Sequence, residues 1–425
     1  MTLRRNFLHL ISGIGVLAYG GHQVFGQSSP FKAKVIVVGG GFGGATAAKY
    51  LKIFSNGKID VTLIEPNQHF ISCPMSNLVI SGDQSITDIT FGYEQLVKKY
   101  GVHLIHAKVE QIDSQKRVVA LSNGKKLNYD RLVLSPGVDF LFEKIAGLDE
   151  DAQKVALHAW KAGPQTLALK AQLEAMPDGG VYGISIPLAP YRCPPGPYER
   201  ATLIANYFKQ FKPRSKVLIL DANQDVTSKG PLFKKIWATR FKELIEYRGL
   251  HQIESVDIKN KTIQFEAQGE LKLNIVNILP PMQAGKIAVD TGLIKPNQRW
   301  CEVDFLTFES RVVPNIHVIG DAIQNAQLMP KSGHMANQHG KVCASAVVAL
   351  LSDHEVNPAP IYNNTCYSFV SKNEAIHVAS VHRYDAIQKT MLPVQGAGGL
   401  SVEANELEGL YANSWANNIW SDFLA

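Results

Sequence analysis

The fold class predicted by the sequence is α/β: two Rossmann-like dinucleotide-binding domains, the second inserted into the first, followed by a small C-terminal domain. Two observations predict it. A β-branched run, Lys34 to Val38, leads straight into a glycine fingerprint and a helix start, and the next such run ends in an acid. Further along, the apolar runs Val181 to Ile186 and Lys216 to Leu220 flank a helical stretch, which repeats the strand–helix–strand unit. The expected boundaries are 1–26 for a signal segment, 32–145 and 286–355 for the first domain, 146–285 for the inserted domain and 356–425 for the last. With 425 residues, 45% of them hydrophobic and 19% charged, the chain can bury cores for two or three domains.

Lys34 to Val38 (KVIVV) suits a buried parallel strand. Gly39, Gly41 and Gly44 then fit G-x-G-x-x-G. The first allows a tight turn, the second lets backbone approach a pyrophosphate, and the third lets helix and strand pack closely. The helix beginning near Ala45 turns its N-terminus toward the phosphates. The second strand, Asp60 to Ile64, ends in Glu65, 21 residues past Gly44, where an acid can hydrogen-bond a ribose. A glycine-rich turn without a ligand is the competing reading of these residues.

Two later segments place a flavin in this domain. Tyr129 to Gly137 (YDRLVLSPG) resembles the strand and small-residue–glycine turn of two-domain flavoproteins, and Asn315 to Asp321 (NIHVIGD) resembles their second flavin motif. The resemblance implies FAD rather than NAD, with Gly137 and Gly320 at the turns and Asp321 on a ribityl hydroxyl. A helix-capping role for Asp321 is the plainer alternative, and the two are compatible.

The inserted domain departs from the pattern. After its first strand comes Pro187 to Pro197 (PLAPYRCPPGP), and a helix is expected over Tyr198 to Phe211. Proline carries no N–H, so this loop cannot wrap a pyrophosphate with amide donors. NAD(P)H is therefore disfavoured as an electron donor, and Cys193 stands where fingerprint glycines would be. The other cysteines are Cys73, Cys301, Cys343 and Cys366. In an oxidising compartment they allow a disulfide, and the odd count leaves at least one thiol over. Cys301 and Cys343 sit in apolar or helical settings and read as core residues.

Four segments carry a more specific resemblance: C-P-P-G-P-Y-E (Cys193 to Glu199), M-P-K-S-G (Met329 to Gly333), N-T-C-Y-S (Asn364 to Ser368) and W-A-N-N-I (Trp415 to Ile419). With them the whole mature chain resembles the flavoprotein subunit of flavocytochrome c sulfide dehydrogenase, in the wider group of sulfide:quinone oxidoreductases. The resemblance implies a redox disulfide between Cys193 and Cys366 beside the flavin, opened by hydrosulfide. It implies a thioether from Cys73 to the flavin, proton handling by Glu199, and a positive charge from Lys331 near the flavin pyrimidine ring. It also implies that residues 356–425 help form an interface with a c-type cytochrome, in a heterodimer. No C-x-x-C-H motif occurs in the chain, so any haem belongs to that partner. The plainer alternatives are a buried structural cysteine at Cys193 or Cys366, a disulfide between them without redox role, a non-covalent contact at Cys73 and a helix-surface position for Glu199. Two alternative functions stay open: a sulfide:quinone oxidoreductase, and a redox-inactive subunit that binds a partner. No metal site is expected.

The first 26 residues read as an export signal. Thr2 to Leu8 (TLRRNFL) resembles the twin-arginine pattern, Leu8 to Tyr19 is apolar, and Val24-Phe25-Gly26 offers a cleavage site before Gln27. A general secretory signal or an uncleaved anchor is the alternative. The expected location is periplasmic, and beyond this segment no run of about 20 apolar residues predicts a membrane span. Residues 1–26 hold two arginines and no acid, so their removal takes the formal charge from +6 to +4. So mild and dispersed a charge does not argue for nucleic acid.

Overall fold

The structure, a computed structural model, describes residues 33–425, and the export segment expected at residues 1–26 lies outside them. Five parallel strands form the first sheet, in the order Ile316–Val318, Arg131–Leu134, Lys34–Val38, Asp60–Ile64 and His103–Ile105. The central strand is buried over its last four residues, as an apolar run covered on both faces must be. The edge strand beside Arg131–Leu134 comes from position 316, so the chain leaves this sheet after Leu134 and returns to it much later. Helix Phe42–Phe54 begins inside the glycine run, earlier than Ala45, because Gly41 already serves as its N-cap. It packs closely on helix Gly333–Leu351: a Cβ at Gly340 would lie 2.6 Å from the Gly43 carbonyl oxygen.

Between departure and return the chain builds a second parallel sheet, ordered Ile245–Arg248, Lys216–Asp221, Val181–Ile186 and Ile275–Ile278. The helix after Val181–Ile186 runs from Gly196 to Phe211, two residues longer at its start than the sequence predicts. Pro197 lies in its first turn, where a missing N–H leaves no hydrogen bond unmade. The antiparallel pair Val138–Phe140 and Met282–Ala284 ties the two crossing segments together.

The C-terminal residues form an antiparallel sheet, Ile361–Phe369, Ala375–Asp385 and Thr390–Leu400, then helix Glu406–Leu424. That helix docks back onto the first domain. Asp422 accepts from Tyr50 Oη and Asn337 Nδ2 at 2.7 Å and from Lys341 Nζ at 2.9 Å. Phe423 is fully buried, its ring 4.9 Å from Phe42 and 5.1 Å from Phe70 between centroids. Burying such a ring contributes about 1.5–3 kcal/mol, so the docking is strong enough to hold the helix against the glycine-loop helix. Among the described residues no helix is long and apolar enough to cross a membrane.

Candidate active site

One cavity lies where the glycine loop, the proline-rich loop and the C-terminal sheet meet. About 1380 Å³ of empty space lies in and in front of it, the open solvent at its mouth included. Gly41, Gly137, Gly320, Asp321, Cys73, Cys193, Glu199 and Cys366 all line it. Residues far apart in sequence therefore converge on one space. Gly39, Gly44, Glu65 and Lys331 stand behind this wall.

The glycine loop has the shape the fingerprint requires. Gly39 takes φ +97°, and a Cβ there would lie 2.3 Å from the Ser135 carbonyl oxygen. A Cβ at Gly44 would lie 1.9 Å from the Gly39 carbonyl oxygen, so only glycine fits the helix–strand contact. A Cβ at Gly41 would meet nothing within 4 Å, and that open side faces the cavity. Glu65 is buried and accepts from Gly40 N at 2.7 Å and from Asn67 Nδ2 at 2.6 Å. It braces the glycine loop. Asp321 lies in the short turn Gly320–Ala322 and caps no long helix; Ser332 caps helix Gly333–Leu351 instead. The Oδ1 of Asp321 is buried without a hydrogen-bond partner among the described residues, and burial raises its carboxyl pKa. An orphaned carboxyl oxygen at a cavity wall calls for a ligand hydroxyl. The open side of Gly41 and the unpartnered Asp321 together fit the phosphate and polyol parts of FAD.

The sulfur side is assembled from three elements. Cys193 has φ +58°, a left-handed backbone that non-glycine residues seldom adopt, and its N–H donates to the Lys331 carbonyl at 2.8 Å. Its thiol lies against the first turn of helix Gly196–Phe211: a Cβ on Gly196 would be 2.8 Å from Sγ. Cys366 arrives on strand Ile361–Phe369, its Sγ 3.6 Å from Asn364 Oδ1. Neither is bonded to another sulfur. Burial raises both thiol pKa values, and charge on either opposes charge on the other. Cys73 Sγ accepts from Ala162 N at 3.5 Å and lies 3.7 Å from the Trp160 carbonyl oxygen. Cys301 and Cys343 are fully buried.

Glu199 is a buried residue rather than a helix-surface one. Its carboxylate accepts from Phe369 N at 2.8 Å and Asn77 Nδ2 at 3.0 Å, and burial raises its pKa against these bonds. It thus joins the cysteine helix to the strand that carries Cys366. Lys331 is not among the residues that line the cavity. Its Nζ donates to the carbonyls of Asp321 at 2.9 Å and Ile323 at 2.6 Å and sits 3.7 Å from the Trp300 ring centroid. Its charge is spent on the loop behind Asp321, and burial pushes its pKa down to about 7.

Of the two arginines that line the cavity, Arg192 and Arg200, the more deeply buried is Arg200, which sequence reasoning passed over. Its guanidinium is almost wholly buried and donates only to neutral oxygens: Asn77 Oδ1 at 3.0 Å, His158 O at 2.8 Å, Ala159 O at 2.6 Å and Asn277 Oδ1 at 3.1 Å. Its carbon stands 4.8 Å from the Trp160 ring centroid. Its place directly after Glu199 in the cysteine segment was the one available signal. Asn77 links Arg200 and Glu199, and only the fold brings it there.

The acid at the end of the second strand of the inserted domain's sheet finds its partners within the protein. Asp221, at the end of the second strand of that sheet, is fully buried and accepts from Tyr198 Oη at 2.6 Å and Tyr247 Oη at 3.1 Å. An acid that would hold a nucleotide ribose is thereby engaged by two tyrosines.

Comparison with known proteins finds three matching segments. Residues 166–280 match the family described as sulfide dehydrogenase (flavocytochrome c) flavoprotein chain, central, and residues 358–424 match flavocytochrome c sulphide dehydrogenase, flavin-binding. Residues 33–168 match pyridine nucleotide-disulphide oxidoreductase. Over 46 residues, 11% of this chain and 94% of the relative, the chain is 56% identical to the sulfide dehydrogenase (flavocytochrome c) flavoprotein chain of Chlorobaculum thiosulfatiphilum. The chain belongs to the flavocytochrome c sulfide dehydrogenase flavoprotein family. As a member of this flavoprotein family it also resembles the mitochondrial sulfide:quinone oxidoreductase of Dictyostelium discoideum, at 25% identity over 68% of this chain and 65% of that one. The chain thus spans just under two thirds of that relative's length. The solved structure of the sulfide:quinone oxidoreductase from Aquifex aeolicus shares the fold, with a TM-score of 0.76 at 18% identity over 92% and 91% of the two chains.

Proposed function

We propose that this flavocytochrome c flavoprotein oxidises sulfide through the Cys193/Cys366 pair and passes the electrons, by way of FAD, to a c-type cytochrome partner. The observation that carries this reading is the convergence of both cysteines, Glu199 and the flavin-type glycine and aspartate residues on one cavity. In the oxidised enzyme the two sulfurs form a disulfide. Hydrosulfide attacks one sulfur, the S–S bond breaks, and a persulfide and a thiolate result. A second hydrosulfide takes up the outer sulfur and leaves the second cysteine as thiolate. Re-forming the S–S bond then releases two electrons. FAD supplies the acceptor for them when bound. The role of the chain's own residues is to hold the sulfurs together, keep water out and move the proton that hydrosulfide loses.

Glu199 is suited to that proton. Because burial raises its pKa above the ordinary value, its carboxylate form gives way to the acid at a higher pH than a surface glutamate would. The rate of flavin reduction by sulfide is then expected to fall as pH falls through that raised value. Glu199→Gln is expected to lack this acid limb and to run roughly 10²-fold slower above it. A Gln variant that keeps the limb would remove Glu199 from the proton path.

Cys73 lies at the cavity wall with its sulfur held by backbone groups, and we assign it the thioether to FAD. Acid precipitation of the parent protein is expected to leave the yellow colour in the pellet, and Cys73→Ser to release it into the supernatant. Free flavin from the parent would exclude the linkage. Several apolar side chains are exposed on the C-terminal helix, Leu407, Leu410 and Tyr411, one to two turns before cavity-lining Trp415, which suits a partner docked near the cofactor. The filled nucleotide position and the proline loop speak against NAD(P)H. Residues 1–26 are proposed to direct twin-arginine export to the periplasm, where such a cytochrome would be met. The test of the whole reading is anaerobic addition of sulfide or NADH to the flavin-loaded protein. Bleaching by micromolar sulfide and none by NADH is expected; the reverse would overturn it.

A further inference from the structure

Lys229 has no motif around it and no part in the reading above, yet it is one of the most unusually placed cations in the chain. It is 4% exposed and has φ +56°, a left-handed backbone in a residue with a full side chain. Its Nζ donates to the Cys366 carbonyl at 2.8 Å and to Ser368 Oγ at 2.8 Å, both neutral oxygens. A buried ammonium with only neutral acceptors is costly to keep, unless a negative charge arises beside it during function.

The loop that carries Lys229 is held by the tyrosine cluster that fills the second nucleotide position. Thr227 N donates to Tyr198 Oη at 3.1 Å, and Thr227 Oγ1 lies 2.8 Å from Tyr191 Oη. Tyr191 belongs to the loop of Cys193, and Tyr198 precedes Glu199 on the cysteine helix. On the other side, Leu232 N and Phe233 N donate to the Lys229 carbonyl at 3.0 and 3.1 Å. The same side chains that occupy the nucleotide position therefore brace the left-handed turn and aim the ammonium at the strand of Cys366.

We propose that Lys229 is a positioning residue whose charge stabilises the thiolate released when the Cys193/Cys366 disulfide opens, acting most strongly on Cys366. This deepens the proposed function and rests on its redox cysteine pair. Lys229 forms and breaks no bond. It acts electrostatically, and a more stable thiolate is both a better leaving group and an easier disulfide to reduce. The titratable groups that face it are Cys366, Glu199, Cys193 and Glu408, each favouring its charged form. Burial works the other way and brings its pKa down to about 8, so the ammonium is available at neutral pH and weakens above it.

The test uses full-length, flavin-loaded protein, reduced and then alkylated with iodoacetamide across a pH series, with Cys366 followed by peptide mapping. The midpoint of its pH profile is compared, so that differences in access cancel. Lys229→Met is expected to move the Cys366 midpoint up by a unit or more, about tenfold less thiolate at neutral pH. Lys229→Arg is expected to stay within about threefold of the parent. Lys229→Gln keeps a donor for the Cys366 carbonyl and guards against misfolding of the Met variant; the same upward shift is expected. Flavin reduction by sulfide at pH 7 should slow in Met and Gln about tenfold and recover in Arg. An unshifted midpoint in the folded Met or Gln variant overturns the role of Lys229 while leaving the disulfide reading intact. Sulfide bleaching that survives Cys366→Ser overturns the disulfide reading, whatever the Lys229 profiles show.

Discussion

Cys193→Ser is expected to slow reduction of the bound flavin by sulfide about 10³-fold or more, because an alcohol cannot form the S–S bond that hydrosulfide must attack. The substitution should leave the architecture alone. The N–H of residue 193 still reaches the Lys331 carbonyl, and serine tolerates the left-handed backbone at φ +58° no worse than cysteine. Dithionite should therefore bleach the flavin of the variant as it does the parent's, which separates lost sulfur chemistry from lost cofactor. Stopped-flow absorbance under nitrogen reads both rates. A serine variant that sulfide bleaches within tenfold of the parent would remove the disulfide from the mechanism, and Cys366→Ser should repeat the result from the other sulfur.

Gly44→Ala is expected to be among the most damaging single-methyl substitutions at the described glycines. Its Cβ would sit 1.9 Å from the Gly39 carbonyl oxygen and 3.2 Å from Ser135 Cβ. Both the oxygen and the helix are backbone, so neither can swing aside, and the strand–helix contact must open. We expect a loss of about 3 kcal/mol of stability, seen as a lower denaturant midpoint, together with loss of flavin. Gly41→Ala is the matched control. A methyl there meets nothing within 4 Å, so stability should change by no more than about 1 kcal/mol while flavin content falls, since the methyl fills the phosphate approach. Equal stability losses in the two variants would contradict this division between packing and ligand contact.

Much of the fold was legible because its signals are local. The strands Lys34–Val38, Asp60–Ile64 and Val181–Ile186 have the bounds that their apolar runs predict. The inserted arrangement followed from the flavin-type segment at Asn315 to Asp321, whose strand rejoins the first sheet beside Arg131–Leu134. Helix starts were less well read. Glycine and proline look like breakers in isolation, yet Gly43, Gly44, Gly196 and Pro197 all lie within first turns. Asp321 could not be separated from a helix cap by sequence, and the structure assigns the capping role to Ser332. For Lys331 the sequence could not say where the ammonium turns. Its segment does reach the site, but through the carbonyl that receives Cys193 N, while its ammonium turns back to the carbonyls behind Asp321.

By itself the sequence determined the two nucleotide-type units, the glycine loop, and the replacement of a second fingerprint by Cys193 and prolines. Each of these rests on residues within a few positions of one another, where backbone sterics and hydrogen bonding decide. Only the tertiary structure decided which charges surround the sulfurs. Arg200, Asn77 and Lys229 come from separate elements, and a buried cation's partners are set by packing in three dimensions rather than by spacing along the chain. It also decided the partners of Asp221, on which Tyr198 and Tyr247 close from different elements.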